Sequence, residues 1–371
     1  MKLVLLPFLA AALTVYASAP EPLFDGSGRA VLRLPEPPAV PRAGLVEARR
    51  EPTPVPPDLA AARTRVGNAA MVSRLPPRGA ADAFSFGVIG DSEPGRFWWE
   101  RVFNPGREAF LEQWRSLQAG PAEFVLQLGD FVSEGDVPHY REHVSLIERE
   151  AAKPFLRCVG NHDRSRPNGD ADKNLYDAVF GARDYFFDHA GWRFVSVDSS
   201  DRRLTPSQVG WLKAALAVPG PKVVFTHVPP AFLRKLAPLP EVGELEAWSD
   251  DKGEAEAQKD YLRDFLTNYF DEGSEAFEDL VSGADVRAVY MGHVHAFWAA
   301  DHRGVRYVIS GGGGSPLYPL PPGYPKKRFA HVLSVRSGPS GLTETVVPHR
   351  GAPFVLPPVA TPGSPRSRST P

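Results

Sequence analysis

The chain has 371 residues, 43% of them apolar and 11% aromatic, which excludes a disordered polymer and suffices for one large core or two modest ones. A formal net charge of −2 without a clustered basic stretch excludes a protein that wraps nucleic acid, and no stable nucleic-acid binding is expected. The single cysteine, Cys158, excludes an intrachain disulfide framework and a cysteine-built zinc site; inside the apolar run 155–159 it reads as a buried, inert thiol.

In chain order, residues 1–19 read as an export signal: Lys2 precedes an apolar stretch from Leu3 to Ala17, followed by small residues. The alternative is an uncleaved N-terminal anchor. The signal reading predicts a periplasmic or extracellular protein with no membrane span once mature. Residues 20–80 are rich in Pro, Ala and Arg without sustained apolar periodicity, so a largely disordered linker is expected there, and a loose tail at 351–371. The body is therefore expected at 81–350. Within it, the segments 84–89, 124–128, 155–159, 192–197, 223–225 and 286–291 are short, apolar and β-rich. Between them Phe110, Leu111, Trp114 and Leu117 recur at helical spacing, and Thr205-Pro206 opens a second helix with a cap residue and a first-turn proline. Strands alternating with helices predict an α/β fold, whose ligands gather beyond the carboxyl ends of the strands.

The chemistry-bearing residues fall there. Gly90-Asp91, Gly129-Asp130, Gly160-Asn161-His162-Asp163, Thr226-His227 and Gly292-His293-Val294-His295 each follow an apolar strand and supply Asp, Asn or His. Carboxylates, an amide oxygen and imidazoles are the donors that hold a pair of divalent ions around a shared carboxylate and activate water for attack at phosphorus. Each piece alone has a plain reading, since Gly-Asp is commonly a turn and His-x-His commonly two histidines on one strand face. Five pieces in this order are specific.

The ordered set resembles the calcineurin-like metallophosphoesterase superfamily, over roughly 84–347 and including the glycine-rich 311–318 segment. The resemblance implies a two-sheet β-sandwich flanked by helices, in four layers, and a hydrolase of phosphomonoesters or phosphodiesters that uses a dinuclear centre and metal-activated hydroxide. It makes Asp91 and His295 ligands of one metal, Asn161, His227 and His293 ligands of the other, and Asp130 the bridge. The cofactors implied are two divalent or trivalent transition metals, Mn, Fe or Zn, and the substrate a small-molecule or nucleotide-type phosphoester. His162, beside ligand Asn161, is the expected proton donor, with Asp163 orienting its ring. Many relatives have Asp-x-His in the first motif; here Glu93 stands in place of the histidine, either as an anionic ligand favouring Mn or Fe or as a group pointing away.

Lesser features complete the reading. Arg96 and Arg164 are candidate substrate clamps, Trp98 and Trp99 an aromatic pair for the core or the cleft, and His139 and His143 a solvated helix face. The 311–314 glycines lack the lysine of a phosphate-cradling loop and are read as bordering the metal cleft. The acidic stretch 241–256 reads as a solvated insertion. Two other functions compete with the esterase: a catalytically weak metal-binding module for ligands or partners, and an exported nuclease, which the near-neutral charge disfavours.

Overall fold

The computed structural model describes residues 32–33, 52–92, 106–236, 269–315, 317, 329–338 and 341–359. The expected export signal, Glu93, Arg96, Trp98, Trp99 and the acidic stretch 241–256 lie outside these residues.

Two β-sheets face each other. One holds strands β1 (Leu32–Arg33), β5 (Tyr185–His189), β6 (Trp192–Val197), β7 (Lys222–Thr226), β8 (Val286–Met291), β10 (Val305–Ser310) and β9 (Phe297–His302), in that spatial order. The other holds β13 (Phe354–Val355), β12 (Gly341–Pro348), β11 (His331–Gly338), β2 (Ser85–Ile89), β3 (Phe124–Gln127) and β4 (Phe155–Arg157). Their inner faces meet in an aromatic layer: Phe86 stacks on Phe124 at 5.4 Å, and Phe194 meets the edges of both at 5.3 and 5.2 Å. The outer face of the first sheet, with Val195, Val224 and Val289, packs on Leu212 and Phe277 from helices α6 (Pro206–Leu216) and α7 (Ser274–Gly283). The outer face of the second is covered by α3 (Gly106–Ala119), through Trp114 and Leu117, and by α4 (Val137–Glu150), through Tyr140 and Ile147. The chain is thus an α/β two-sheet sandwich flanked by helices. Burial on both faces explains why the central strands read as unbroken apolar runs instead of alternating. The α6 start is a capping box, with Gln208 N–H donating to Thr205 Oγ1 at 3.3 Å, a device worth about 1 kcal/mol.

Strands β2, β3 and β4 run parallel, as do β6, β7, β8 and β10, so their carboxyl ends open on one edge of the sandwich. This arrangement is what gathers Asp91, Asp130, Asn161, His227 and His293, which are far apart in sequence.

Three expectations are corrected. Much of the supposed linker, from residue 52 on, is ordered: helices α1 (Pro57–Val66) and α2 (Asn68–Val72) bury Leu59, Ala62, Val66 and Met71 in the core. They do so although α1 has a weak apolar stripe, because they dock on β4 through a buried polar clasp. Asn68 Oδ1 accepts the Arg157 N–H at 3.1 Å, and Arg157 Nη1 donates to the Val66 carbonyl at 3.3 Å. The tail is also engaged, Phe354–Val355 pairing antiparallel with β12. His143 is not on a solvated face: it is buried and stacks on Phe131 at 4.5 Å, and burial holds its pKa well below the usual histidine value. Cys158 is buried as read, its thiol pushed up by burial.

Candidate metal centre

Three of the turns that leave strands at this edge are sterically unusual. Asp91, Asp130 and His293 all adopt left-handed backbones, with φ of 54°, 50° and 68°. For a residue bearing a Cβ this costs about 1 kcal/mol or more, and such strain collects at functional sites. Neighbouring glycines make the turns possible. Gly129 has φ of 84°, and a Cβ at Gly160 would stand 2.1 Å from Asp130 Oδ1, so the loop after β4 approaches Asp130 only because Gly160 has no side chain.

Asp130 belongs to two groups of donor atoms. It stands with His227 and His293 in one and with Asp91 and His295 in the other; within each, the donor atoms lie within 4.8 Å of one another, and all are buried. Asn161 joins the first, its Oδ1 3.0 Å from His227 Nε2, which is also 3.2 Å from Asp130 Oδ2 and 3.2 Å from His293 Nδ1. In the second, His295 Nε2 is 3.4 Å from Asp91 Oδ1. The Gly-His-x-His segment is a bend, and its left-handed turn aims His293 and His295 at different groups.

Orientation is fixed from behind. His227 Nδ1 is 2.7 Å from the Leu128 carbonyl, which can only accept, so Nδ1 carries the hydrogen and Nε2 presents its lone pair to the cleft. Asn161 Nδ2 donates to the Pro167 carbonyl at 3.4 Å, which turns Oδ1 inward. The His293 backbone N–H donates to both Asp91 carboxylate oxygens at 2.9 Å. With the His227 ring neutral, a carboxylate oxygen, an amide oxygen and an imidazole lone pair therefore converge at hydrogen-bond distances. Such a set is repulsive until a cation sits in it, and its mix of oxygen and nitrogen donors fits Mn, Fe or Zn. With the cation replaced by a proton, burial opposes a charge on His227, but Asp130 and Asp91 outweigh it and push its pKa up to about 9. Burial likewise opposes the charge on Asp130, yet His227, His162 and His293 hold its carboxyl well below the carboxylate range.

His162 lies beside this cleft, half-buried. Its backbone N–H donates to Asp130 Oδ1 at 2.8 Å and its Nδ1 lies 2.9 Å from the Ser133 carbonyl, which makes Nδ1 a donor and leaves Nε2 for the far side of the ring. The expectation that Asp163 orients this ring is corrected. Asp163 instead accepts four backbone N–H groups, from Asp130, Phe131, Val132 and Gly160, at 2.7 to 3.3 Å, and so ties the β3 and β4 loops together. Burial and the Asp130 charge push its pKa up while those amides pull the other way. Arg164 is also structural in contact: Nη1 pairs with Asp201 at 2.6 Å, and Nε and Nη2 donate to the Asn161 and Pro167 carbonyls at 3.3 and 2.8 Å. The 311–314 glycines border the site, Gly313 N–H donating to the Gly90 carbonyl and Ser315 N–H to that of Asp91. The Leu128 and Ser133 carbonyls were missed by sequence reasoning, and backbone acceptors carry no side-chain signal that could have revealed them.

The two-sheet fold carries, at the carboxyl ends of its strands, a donor set that could hold metal ions, and comparison with known proteins gives the family. Residues 84–297 match the calcineurin-like phosphoesterase family, to which the chain belongs. It is 28% identical over 193 residues to a protein of Rhodococcus erythropolis named as a probable cyclic nucleotide phosphodiesterase, a match covering 48% of this chain and 52% of that one. The chain thus spans about half the length of this curated relative. Among solved structures it is similar to a purple acid phosphatase from yellow lupin seeds (Lupinus luteus), with TM-score 0.54 and 17% identity over 75% of this chain and 55% of that one, a likeness of fold alone.

Proposed function

We propose that the protein is a phosphodiesterase with a dinuclear metal centre. The observation that carries this reading is the position of Asp130, one carboxylate common to two buried donor groups. Asp91 and His295 would hold one ion, Asn161, His227 and His293 the other, and Asp130 both. Two ions there would supply Lewis acidity to the phosphoryl oxygens and a water of lowered pKa. The chain's own residues do the remainder. The backbone strain at Asp91, Asp130 and His293 presets the carboxylates and imidazole before substrate arrives. His162, held by Ser133 and anchored to Asp130 through its backbone, offers Nε2 for protonating the leaving oxygen. The name of the Rhodococcus relative supports the diester preference. On the export reading of residues 1–19, the substrate is met outside the cytoplasm.

Metal analysis with hydrolysis of bis(p-nitrophenyl) phosphate and p-nitrophenyl phosphate tests this. The expected result is about two equivalents of metal, loss of turnover on chelation, recovery on adding Mn, Fe or Zn, and faster turnover of the diester. Full activity in excess chelator, or no hydrolysis of either ester at any metal loading, would overturn it.

A further inference from the structure

The loop that leaves β4, residues 161–172, forms no helix or strand, so its carbonyls must find partners outside a regular ladder. Three of them turn onto one buried guanidinium. Arg164 donates through Nε to the Asn161 carbonyl at 3.3 Å, through Nη2 to the Pro167 carbonyl at 2.8 Å and through Nη1 to the Gly169 carbonyl at 3.4 Å. The same Nη1 meets Asp201 Oδ1 at 2.6 Å, on the loop that follows β6.

The Pro167 carbonyl is the junction. It accepts from Arg164 Nη2 and also from Asn161 Nδ2 at 3.4 Å, so both its lone pairs are used. The second of these bonds is the one that turns Asn161 Oδ1 toward His227 Nε2. Because Nε of the same guanidinium holds the backbone carbonyl of Asn161, Arg164 sets the span between that residue and the acceptor of its own amide. A rigid planar fork fixes such a span, where an ammonium would act only as a point charge.

The guanidinium is itself held in place. Asp201 pairs also with Lys173 at 2.9 Å, and Lys173, ahead of helix α5 (Asn174–Val179), pairs with the buried Asp198. The turn that presents Asp201 is strained: the next residue, Arg202, has a left-handed φ of 56°, and its N–H donates to the Ser199 carbonyl at 2.8 Å. The loop after β4 is thereby clamped to the loop after β6, and the clamp closes on the residue that holds Asn161.

We propose that Arg164 is a positioning residue for Asn161: by fixing the Pro167 carbonyl against the Asn161 backbone it holds the amide oxygen in the donor group of Asp130, His227 and His293, and so sets the affinity of that group for its ion while leaving the group of Asp91 and His295 alone. This rests on the reading of two metal-binding donor groups above.

Calorimetric titration of the metal-stripped, full-length protein with Mn, and separately with Zn, tests the proposal. Arg164→Met should weaken one of the two ions by about 10- to 100-fold, the range for groups that orient a metal ligand, and leave the other within about threefold. Asn161→Ala should weaken the same ion, and adding Arg164→Met to it should cost nothing further, since both act through one amide. Asp201→Asn, which loosens the guanidinium but leaves its carbonyl contacts, should show the same selectivity at smaller size, and it takes the place of Arg164→Met if that variant does not fold. Equal weakening of both ions, weakening of neither, or an undiminished Arg164→Met effect on top of Asn161→Ala overturns the proposal. A protein that binds fewer than two ions of either metal overturns the dinuclear reading instead, and the Asn161 amide then decides the matter in the metal-free state. In protein labelled with nitrogen-15 at asparagine alone, the Asn161 side-chain signals are those missing from Asn161→Ala. Their hydrogen exchange with water should quicken about 10-fold in Arg164→Met, as expected when a hydrogen bond is released. The signals of Asn68, whose amide donates to the Arg157 carbonyl at 3.3 Å, should not change. Equal exchange of the Asn161 amide in both proteins overturns the proposal.

Discussion

Two buried polar clusters in this molecule obey opposite rules. At the amino end of β10, Arg306 Nη1 donates to Glu344 at 2.8 Å and Nη2 to the Pro357 carbonyl at 2.6 Å, Nε pairs with Asp301, and Tyr290 donates to the other Glu344 oxygen at 2.8 Å. Every donor there faces an acceptor, so the cluster is complete within the chain. At the carboxyl ends of the strands, Asp130, Asn161 and the neutral His227 ring turn acceptors toward acceptors, with Asp130 on a left-handed backbone. Buried polar groups persist only with partners. The first cluster is therefore architecture, and the second is a donor set that needs a proton or a metal cation to offset its acceptors.

Substitutions that strike one cluster and spare the other break the comparison most sharply. Asp130→Ala removes the carboxylate common to both donor groups and should lower kcat by about 10⁴-fold or more with loss of bound metal, measured by turnover and metal analysis. Near-normal values for both would show that Asp130 is not shared. His162→Ala should lower kcat by roughly 10² to 10⁴-fold while keeping the metal, and less for esters with good leaving groups. Loss of metal in proportion to activity would instead make His162 a ligand or a brace. Arg306→Met, in the complete cluster, should cost about 3 kcal/mol of stability by stranding Glu344, with kcat within a factor of about two. Denaturant unfolding and turnover on the same preparation check it.

The smallest effect concerns protons. Because the folded pKa of His227 is raised to about 9, its pairing with Asp130 stabilises the metal-free protein fully below the ordinary histidine value of about 6.5. That contribution is lost as pH rises through about 9. Metal affinity should run the other way, rising toward pH 9 with about one proton released per protein near neutrality. Calorimetry in buffers of different ionisation heat measures the release, and an affinity flat with pH would remove His227 from the ligand set.

The sequence by itself determined the strand segments, the α/β class and the ordered Asp, Asn and His motifs, because apolar runs ending in Gly-Asp or Gly-Asn-His are local patterns whose chemistry is carried by residue type. The Thr205 helix cap and the buried Cys158 were legible for the same reason. Only the tertiary structure decided what each motif faces. The weakly patterned 57–72 helices acquire their place from Asn68 and Arg157, whose contacts span 89 residues, and no local window contains that clasp. Asp163 was misread because its proximity to His162 in sequence says nothing about direction, and its carboxylate turns to four backbone amides instead. Likewise the sharing of Asp130, the splitting of His293 from His295 and the left-handed Arg202 are matters of φ angles and parallel strand order. These are fixed by packing over the whole sandwich, not by neighbours along the chain.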